Sequence, residues 1–206
     1  MSFYEKKILP KVLDLLCGSS PINYQRRKVV PQVSGNVLEI GIGSGLNLPH
    51  YKASNISKIT ALDPAEELTD IAKRRISELD LNIDVMNCGA EEIPLKSKSF
   101  DSILVTYTLC SIENLDDSMK EIRRVIKDDG TLFFCEHGIA PDLKTKKWQN
   151  RINPIWKKLM GGCNINRDIP EIISNSELEI VDLETMFLPG TPRIAGFNYW
   201  GTARTN

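Results

Sequence analysis

Val37-Leu38-Glu39-Ile40 followed by Gly41-Ile42-Gly43-Ser44-Gly45-Leu46-Asn47 is a short apolar strand that runs straight into a glycine-rich bend. Glycine lets a chain turn this tightly and lets its backbone approach a ligand closely. A GxGxG run is a weak signal by itself, because nicotinamide and flavin sites begin in the same way. Its surroundings are sharper. The dinucleotide fingerprint asks for a further glycine at position 46, where Leu46 stands. It also rarely carries an acid two places before the first glycine, where Glu39 stands. Asp63 closes the next apolar run, 22 residues after Gly41, where a carboxylate can accept hydrogen bonds from both hydroxyls of a ribose.

Outward from that bend the chain alternates between strand and helix patterns. Ile56 to Leu62 reads as a second strand, and residues 65–79 put Leu68, Ile71, Ala72, Arg75 and Leu79 on one helical stripe. Ile83 to Met86 and Phe100 to Thr106 are further strands, the latter apolar enough to be covered on both faces. Asn114 can cap a helix carrying Leu115, Met119, Ile122 and Ile126, ended by Asp129-Gly130, before a fifth strand from Thr131 to Cys135. A helix is also expected directly after the glycine bend. The alternation predicts an α/β, doubly wound parallel sheet with helices on both faces. Residues 177–184 and 193–200 read as two antiparallel strands joined through Leu188-Pro189-Gly190-Thr191-Pro192. At the other end, Leu9, Val12, Leu13 and Leu16 have helical spacing within residues 2–17, with Pro10 near the start and Gly18 as the stop. The plan is one domain over residues 1–206: a helical lead-in (1–34), a cofactor-binding core (36–136), an insertion (141–170) and a strand hairpin (177–200).

Bulk properties narrow the class. A chain of 206 residues can build one sizeable core, and 41% hydrophobic with 26% charged residues describes an ordinary soluble protein. A net charge of −1 gives no reason to expect a nucleic-acid partner. The five cysteines, at 17, 88, 110, 135 and 163, form no CxxC pair, and no His/Asp/Glu group has ligand spacing, so no metal is expected. Cys110 and Cys163, without a paired base in the sequence, read as buried structural thiols. MSFYEKKILPKVLDLL carries charges throughout and has no long apolar run, so it reads as neither signal peptide nor membrane span. The expected location is cytoplasmic, with a membrane surface as an added option considered below.

VLEIGIGSGLNLP (37–49), ALDP (61–64), AEEIPLKSKSFDSILVTYTLCSI (90–112) and EIRRVIKDDGTLFF (121–134) resemble, in order and spacing, the class I S-adenosylmethionine-dependent methyltransferases. The resemblance implies S-adenosylmethionine as cofactor and a Rossmann-like seven-stranded sheet with one antiparallel strand. It places Glu39 near the methionine part of the cofactor, packs Gly41, Gly43 and Gly45 against it, gives the ribose to Asp63 and borders the adenine with Ala90 and Glu91. Asn47, Pro64 and Thr106 lie in the matching stretches and are taken as cofactor-side residues with them. Many relatives have an aspartate where Gly89 stands, which leaves the adenine amino group to Glu91 or a backbone carbonyl. CSI (110–112), CEH (135–137) and WQNRINPIWKKLMGGCNINRD (148–168) resemble a methyltransferase-like group that includes alkyl thiol methyltransferases. Relatives known as phospholipid N-methyltransferases share a similar glycine loop. The thiol enzymes begin with a hydrophobic membrane anchor, a feature not read in MSFYEKKILPKVLDLL.

A sulfonium already activates its methyl group, so the protein's main task is to align donor and nucleophile, worth up to about 7–11 kcal/mol. A thiol, with an ordinary pKa of about 8.5, needs little help losing its proton, and a hydroxyl needs much more. Ligands sit outside the carboxyl ends of parallel strands, which singles out Tyr107, Glu136 and His137 as catalytic candidates. His137 could act as a base or be a loop histidine bonded to backbone; Glu136 could be a capping carboxylate, and Tyr107 a wall residue. In the insertion, Trp148, Ile152, Ile155, Trp156 and Leu159 recur at helical spacing among Lys144, Lys146, Lys147, Arg151, Lys157 and Lys158. They read first as a lid over the acceptor pocket with Asn164, Arg167 and Asp168 at its mouth. The second reading is an interfacial helix touching a membrane through residues 144–159, and the third is core packing. Pro154 is expected to break a long helix there. The resulting expectation is methyl transfer to a small-molecule acceptor, a thiol, an amine or something lipid-like. The rivals are a catalytically silent cofactor-binding module working through a protein partner, and a nicotinamide-dependent oxidoreductase.

Overall fold

The structure, a computed structural model, describes residues 4–205. Positions 2 and 3 of the expected N-terminal helix lie outside the described residues. Seven strands form one sheet in the order β3-β2-β1-β4-β5-β7-β6: β1 (Gly35–Ile40), β2 (Ile56–Leu62), β3 (Ile83–Met86), β4 (Phe100–Thr106), β5 (Ile126–His137), β6 (Leu178–Phe187) and β7 (Phe197–Thr205). Strands β1 to β5 pair in parallel, and β7 runs antiparallel to both β5 and β6. The doubly wound sheet with one antiparallel strand is the architecture expected from the sequence.

The period of two along each strand divides the core into two layers. Leu38, Ile40, Ile103, Val105, Leu132 and Phe134 face one side, where they meet Met119, Ile122 and Val125 of α4 (Leu115–Val125) and Ile169 and Ile173 of α6 (Ile169–Ser174). Val37, Ile59, Ala61, Leu104, Phe133 and Cys135 face the other, against Val29 of α2 (Ser20–Val29) and Ala72 of α3 (Glu66–Ile76). The lead-in supplies α1 (Leu9–Cys17) and α2, each with a proline in its first turn, where the missing N–H costs nothing.

Four local expectations change. No α-helix follows the glycine bend; two single 3₁₀ turns, Leu48–His50 and Ala53–Asn55, lead into β2 instead. Tyr51 leaves the helical region (ψ 141°) with its hydroxyl held by Glu39, which ends the first turn, and few residues separate the bend from β2. Ile126 does not continue α4 but opens β5, with an extended backbone (ψ 143°) that pairs it with Phe100. The final strands are longer than expected and their loop spans residues 188–196. Finally, α5 (Leu143–Leu159) runs unbroken through Pro154. Asn150, whose carbonyl loses its partner to Pro154, and Pro154 itself are both exposed, so water can satisfy the freed acceptor and the helix survives.

Candidate active site

At the carboxyl ends of β1, β2, β4 and β5 the sheet opens into a cavity of about 440 Å³. Its floor is the glycine bend. Gly41 (φ +76°) and Gly43 (φ +53°) are left-handed, and a Cβ on Gly41 would collide with the Thr108 side chain. A Cβ on Gly43 would meet nothing, because the residue fronts open cavity. Asp63 fixes the bend: its Oδ2 accepts from the Gly43 N–H at 2.8 Å and its Oδ1 from the Ala65 N–H at 2.9 Å. Burial pushes the Asp63 carboxyl up, against those two hydrogen bonds, which favour the charge. Beneath the bend, Glu39 is buried and fully engaged: Oε1 accepts from Asn47 Nδ2 and Oε2 from the Tyr51 hydroxyl, both at 2.7 Å. Burial raises its carboxyl as well, opposed by the same two bonds. Asn47 also contacts Thr106 Oγ1 and accepts from Arg26 Nε.

One wall comes from a distant segment. Asp14 of α1 takes a hydrogen bond from the Ser44 hydroxyl and a forked pair from Arg75 of α3. Burial works against the Asp14 charge, but the Arg75 and Ser44 bonds hold its carboxyl below the ordinary value. Leu13, Leu16 and Cys17 of the same helix line the cavity.

The far end is sulfur-rich. Cys110, from the turn after β4, His137, from the end of β5, and Cys163, from the loop after α5, all line the cavity. Their Sγ and ring nitrogen atoms lie within 4.8 Å of one another, and Cys163 Sγ is 3.2 Å from His137 Nε2. Trp156 Nε1 donates to Cys163 Sγ at 3.3 Å. The neighbouring Cys110 thiol holds the Cys163 thiol well below its usual range despite burial, with help from the His137 charge, and Cys163 in turn pushes Cys110 up. Burial alone would lower His137; the neighbouring Cys163 charge outweighs it and the imidazole is raised. Tyr107 (φ +53°) bends the chain out of β4, stacks on His137, lies under the Arg26 guanidinium and donates to Asn198 Oδ1 at 2.6 Å. Glu136 faces away from the cavity. Its Oε1 accepts from the Thr108 and Leu109 N–H groups, its Oε2 has no partner, and burial raises it to about 7 against those bonds.

A family profile described as a methyltransferase domain matches residues 38–134, a span that runs from within β1 to within β5 and carries the bend and Asp63. The thiol S-methyltransferase TMT1B of Rattus norvegicus is 29% identical over 169 residues, which cover 78% of this chain and 68% of the relative. The Homo sapiens protein of that name is 26% identical over 210 residues, 93% and 85% of the two chains. A geranyl diphosphate methyltransferase solved with S-adenosylmethionine superposes with a TM-score of 0.69 at 14% identity, over 89% of this chain and 85% of that one. The chain belongs to the class I S-adenosylmethionine-dependent methyltransferases.

The methyl donor of a class I methyltransferase is S-adenosylmethionine, and this cavity fits it on chemical grounds. A carboxylate has about four acceptor positions, and Asp63 uses two, leaving acceptors for vicinal hydroxyls. The open space over Gly43 is where a bulky nucleoside can lie against bare backbone. Of the residues expected on the cofactor side, Gly41, Gly43, Asn47, Asp63 and Thr106 line this methyltransferase cavity. Glu39 and Gly45 lie behind the loop, where a Cβ on Gly45 would strike Leu48 and approach Ala72. Ala90 is buried in the core and Pro64 is exposed beside Asp63. Glu91 is half-buried and folds back toward Gly89, and none of these last three lines the cavity.

Of the catalytic candidates, Tyr107 and His137 face the cavity and Glu136 braces the turn behind it. Trp156, Met160, Gly161 and Cys163 cover the far end, whereas Trp148, Ile155 and Leu159 point outward, so the expected apolar stripe is divided between two faces. Asn164 and Arg167 hold backbone carbonyls at 109, 110 and 112, and Asp168 caps α6. Sequence reading passed over α1 and the loop 188–196, whose Leu188, Thr191, Pro192, Ile194 and Ala195 form the roof. It also treated Cys110 and Cys163 separately, because nothing in their spacing reveals that they meet.

Proposed function

We propose that this methyltransferase acts on the sulfur of a small apolar thiol, with the acceptor held at the Cys110, His137 and Cys163 end of the cavity. The observation carrying the reading is the character of that end: mostly apolar side chains with a few ionisable groups converging on one point. Relatives named thiol S-methyltransferases support it.

In this reading Asp63 holds the ribose, Gly41 and Gly43 leave room for the nucleoside, Gly45 lets the loop pack on Leu48, and Glu39, Asn47 and Thr106 stiffen the loop from below. Bound S-adenosylmethionine supplies a methyl group already activated by its sulfonium. The chain orients the acceptor between Trp156, Met160 and Ile194, excludes water through the 188–196 roof, and takes charge of the acceptor's proton at the His137 end. Tyr107 positions His137 by stacking, and Glu136 fixes the turn that carries Cys110. Residues 141–170 act as the lid. Labelled methyl transfer to a panel of alkyl thiols, amines and alcohols tests this: thiols should be turned over and the others not. Turnover confined to amines or alcohols would overturn it.

A second reading concerns location. No helix among the described residues is long and apolar enough to cross a membrane. Yet α5 exposes Leu143 (73%) and Ile155 (65%) beside Lys144, Lys146, Lys147 and Arg151. That combination suits an anionic lipid surface from which lipid-like acceptors would arrive. Sedimentation with anionic but not neutral vesicles is expected; equal recovery with both would remove the idea.

A further inference from the structure

The fold gathers two sulfurs and an imidazole nitrogen from positions 110, 137 and 163 into one cluster facing the cavity. We propose that Cys110 Sγ, Cys163 Sγ and His137 Nε2 bind a borderline-soft divalent cation, zinc above all, with a fourth position open to the cavity. That position takes the acceptor's sulfur, a part of the proposal that rests on the thiol reading above.

The donor set is the first argument. Tetrahedral zinc with bonds of about 2.3 Å to sulfur and about 2.0–2.1 Å to nitrogen needs its ligand atoms about 3.5–3.8 Å apart. The three atoms here lie within 4.8 Å of one another, with Cys163 Sγ to His137 Nε2 at 3.2 Å. Shifts of a few tenths of an ångström up to about one ångström would complete the triangle. Three protein ligands with an open fourth position is the pattern of catalytic rather than structural zinc.

The support behind the ligands is the second argument, because metal sites depend on what holds their ligands. The Cys110 carbonyl accepts from both the backbone N–H and the side-chain amide of Asn164, the residue after Cys163, which ties two ligand segments together. Asn153 of α5 donates to the Asn164 side-chain oxygen and accepts from the Ile165 N–H. Arg167 holds the Leu109 and Ile112 carbonyls on either side of Cys110. Gly161 and Gly162, both left-handed (φ +61° and +88°), turn the chain sharply after α5 so that Cys163 points back into the cavity. Plain core packing of thiols would not require this scaffold.

The acceptor's S–H proton leaves to water as its sulfur binds the cation. The sulfur–methyl bond then forms as the sulfonium carbon–sulfur bond breaks. The products are a thioether and S-adenosylhomocysteine, and the neutral thioether, a poorer ligand, departs. Zinc at this position does for a thiol what a base would otherwise do.

The full chain, stripped with chelator and titrated with zinc or cobalt(II), tests the site. The expected result is one ion per chain, with the cobalt protein showing sulfur-to-metal charge-transfer absorption in the near ultraviolet. Cys110→Ala and Cys163→Ala should each weaken binding at least 100-fold, and Cys88→Ala should leave it unchanged. Without any substitution, zinc should shield Cys110 and Cys163 from alkylation while Cys88 reacts as before. No charge-transfer band, no shielding, or binding unaffected by either substitution would overturn the site. A bound ion together with no thiol turnover would sink the thiol reading and leave the site standing. Full thiol turnover by stripped protein would refute the ion's part in the reaction.

Discussion

The two ends of the cavity are built in opposite ways. At the cofactor end, the parts sit within one short stretch of chain plus Asp63, and they are held by backbone hydrogen bonds and glycine conformation. At the acceptor end, Cys110, His137, Cys163, Trp156 and Ile194 come from five segments and meet only because the sheet, α5 and the 188–196 roof fold over one another. The difference shows where specificity resides. Donor binding needs a shape that local sequence can encode, whereas the acceptor pocket depends on long-range packing and can vary while the bend stays the same.

If that division is right, damage to the two ends should be separable. The largest effect is expected from Gly43→Val. A branched side chain at a left-handed residue costs about 1–2 kcal/mol in backbone energy and fills the space over the bend. Methyl transfer to any acceptor should fall at least 1,000-fold in a steady-state assay while circular dichroism stays unchanged. Next is Cys163→Ala, for which kcat/KM toward a thiol should drop about 100-fold, roughly 2.7 kcal/mol. Donor affinity should stay within twofold. A matching loss of donor binding would merge the two ends into one and break the comparison.

A smaller effect is expected where α1 joins the cofactor end. Asp14→Ala removes the forked link to Arg75 and the Ser44 bond, and partial exposure screens the charge, so about 1 kcal/mol is at stake. A melting temperature lower by about 2–4 °C at pH 7 follows. Because Asp14 is held below its ordinary value in the folded chain, the link contributes fully above that ordinary value, near pH 4. It is lost as the pH falls through the still lower folded value. The difference between the two proteins should therefore shrink in acid, which calorimetric scans at pH 7 and pH 3 would reveal. The smallest effect on catalysis belongs to Lys144, Lys147 and Arg151 changed together to Gln: turnover of a water-soluble thiol should not change, and only anionic-vesicle sedimentation should weaken.

Legibility in the sequence follows the same division. Strands β2, β3 and β4 and the Asn114 cap could be read because alternation and capping are local signals. Glu39 was picked out by its position before the bend, and its hold on Asn47 and Tyr51 shows why a carboxylate is needed there. Pro154 misled because propensity ignores which face of a helix is wet. The Cys110, His137 and Cys163 cluster left no pattern, since separations of 27 and 26 residues match no ligand spacing and only the tertiary fold brings the atoms together. The part played by α1 was hidden for the same reason, as Asp14 reaches Arg75 across 61 residues.

Titration calorimetry of S-adenosylmethionine into Asp63→Ala and Cys163→Ala, run side by side with the parent chain, examines the division head on. Asp63 offers charged acceptors worth about 1.5–3 kcal/mol per hydrogen bond, so its removal should weaken donor binding at least 100-fold. Removal of the Cys163 sulfur should change that affinity less than twofold. Equal affinities in all three proteins, or a loss at Cys163 as large as at Asp63, would contradict a donor seated on the glycine bend.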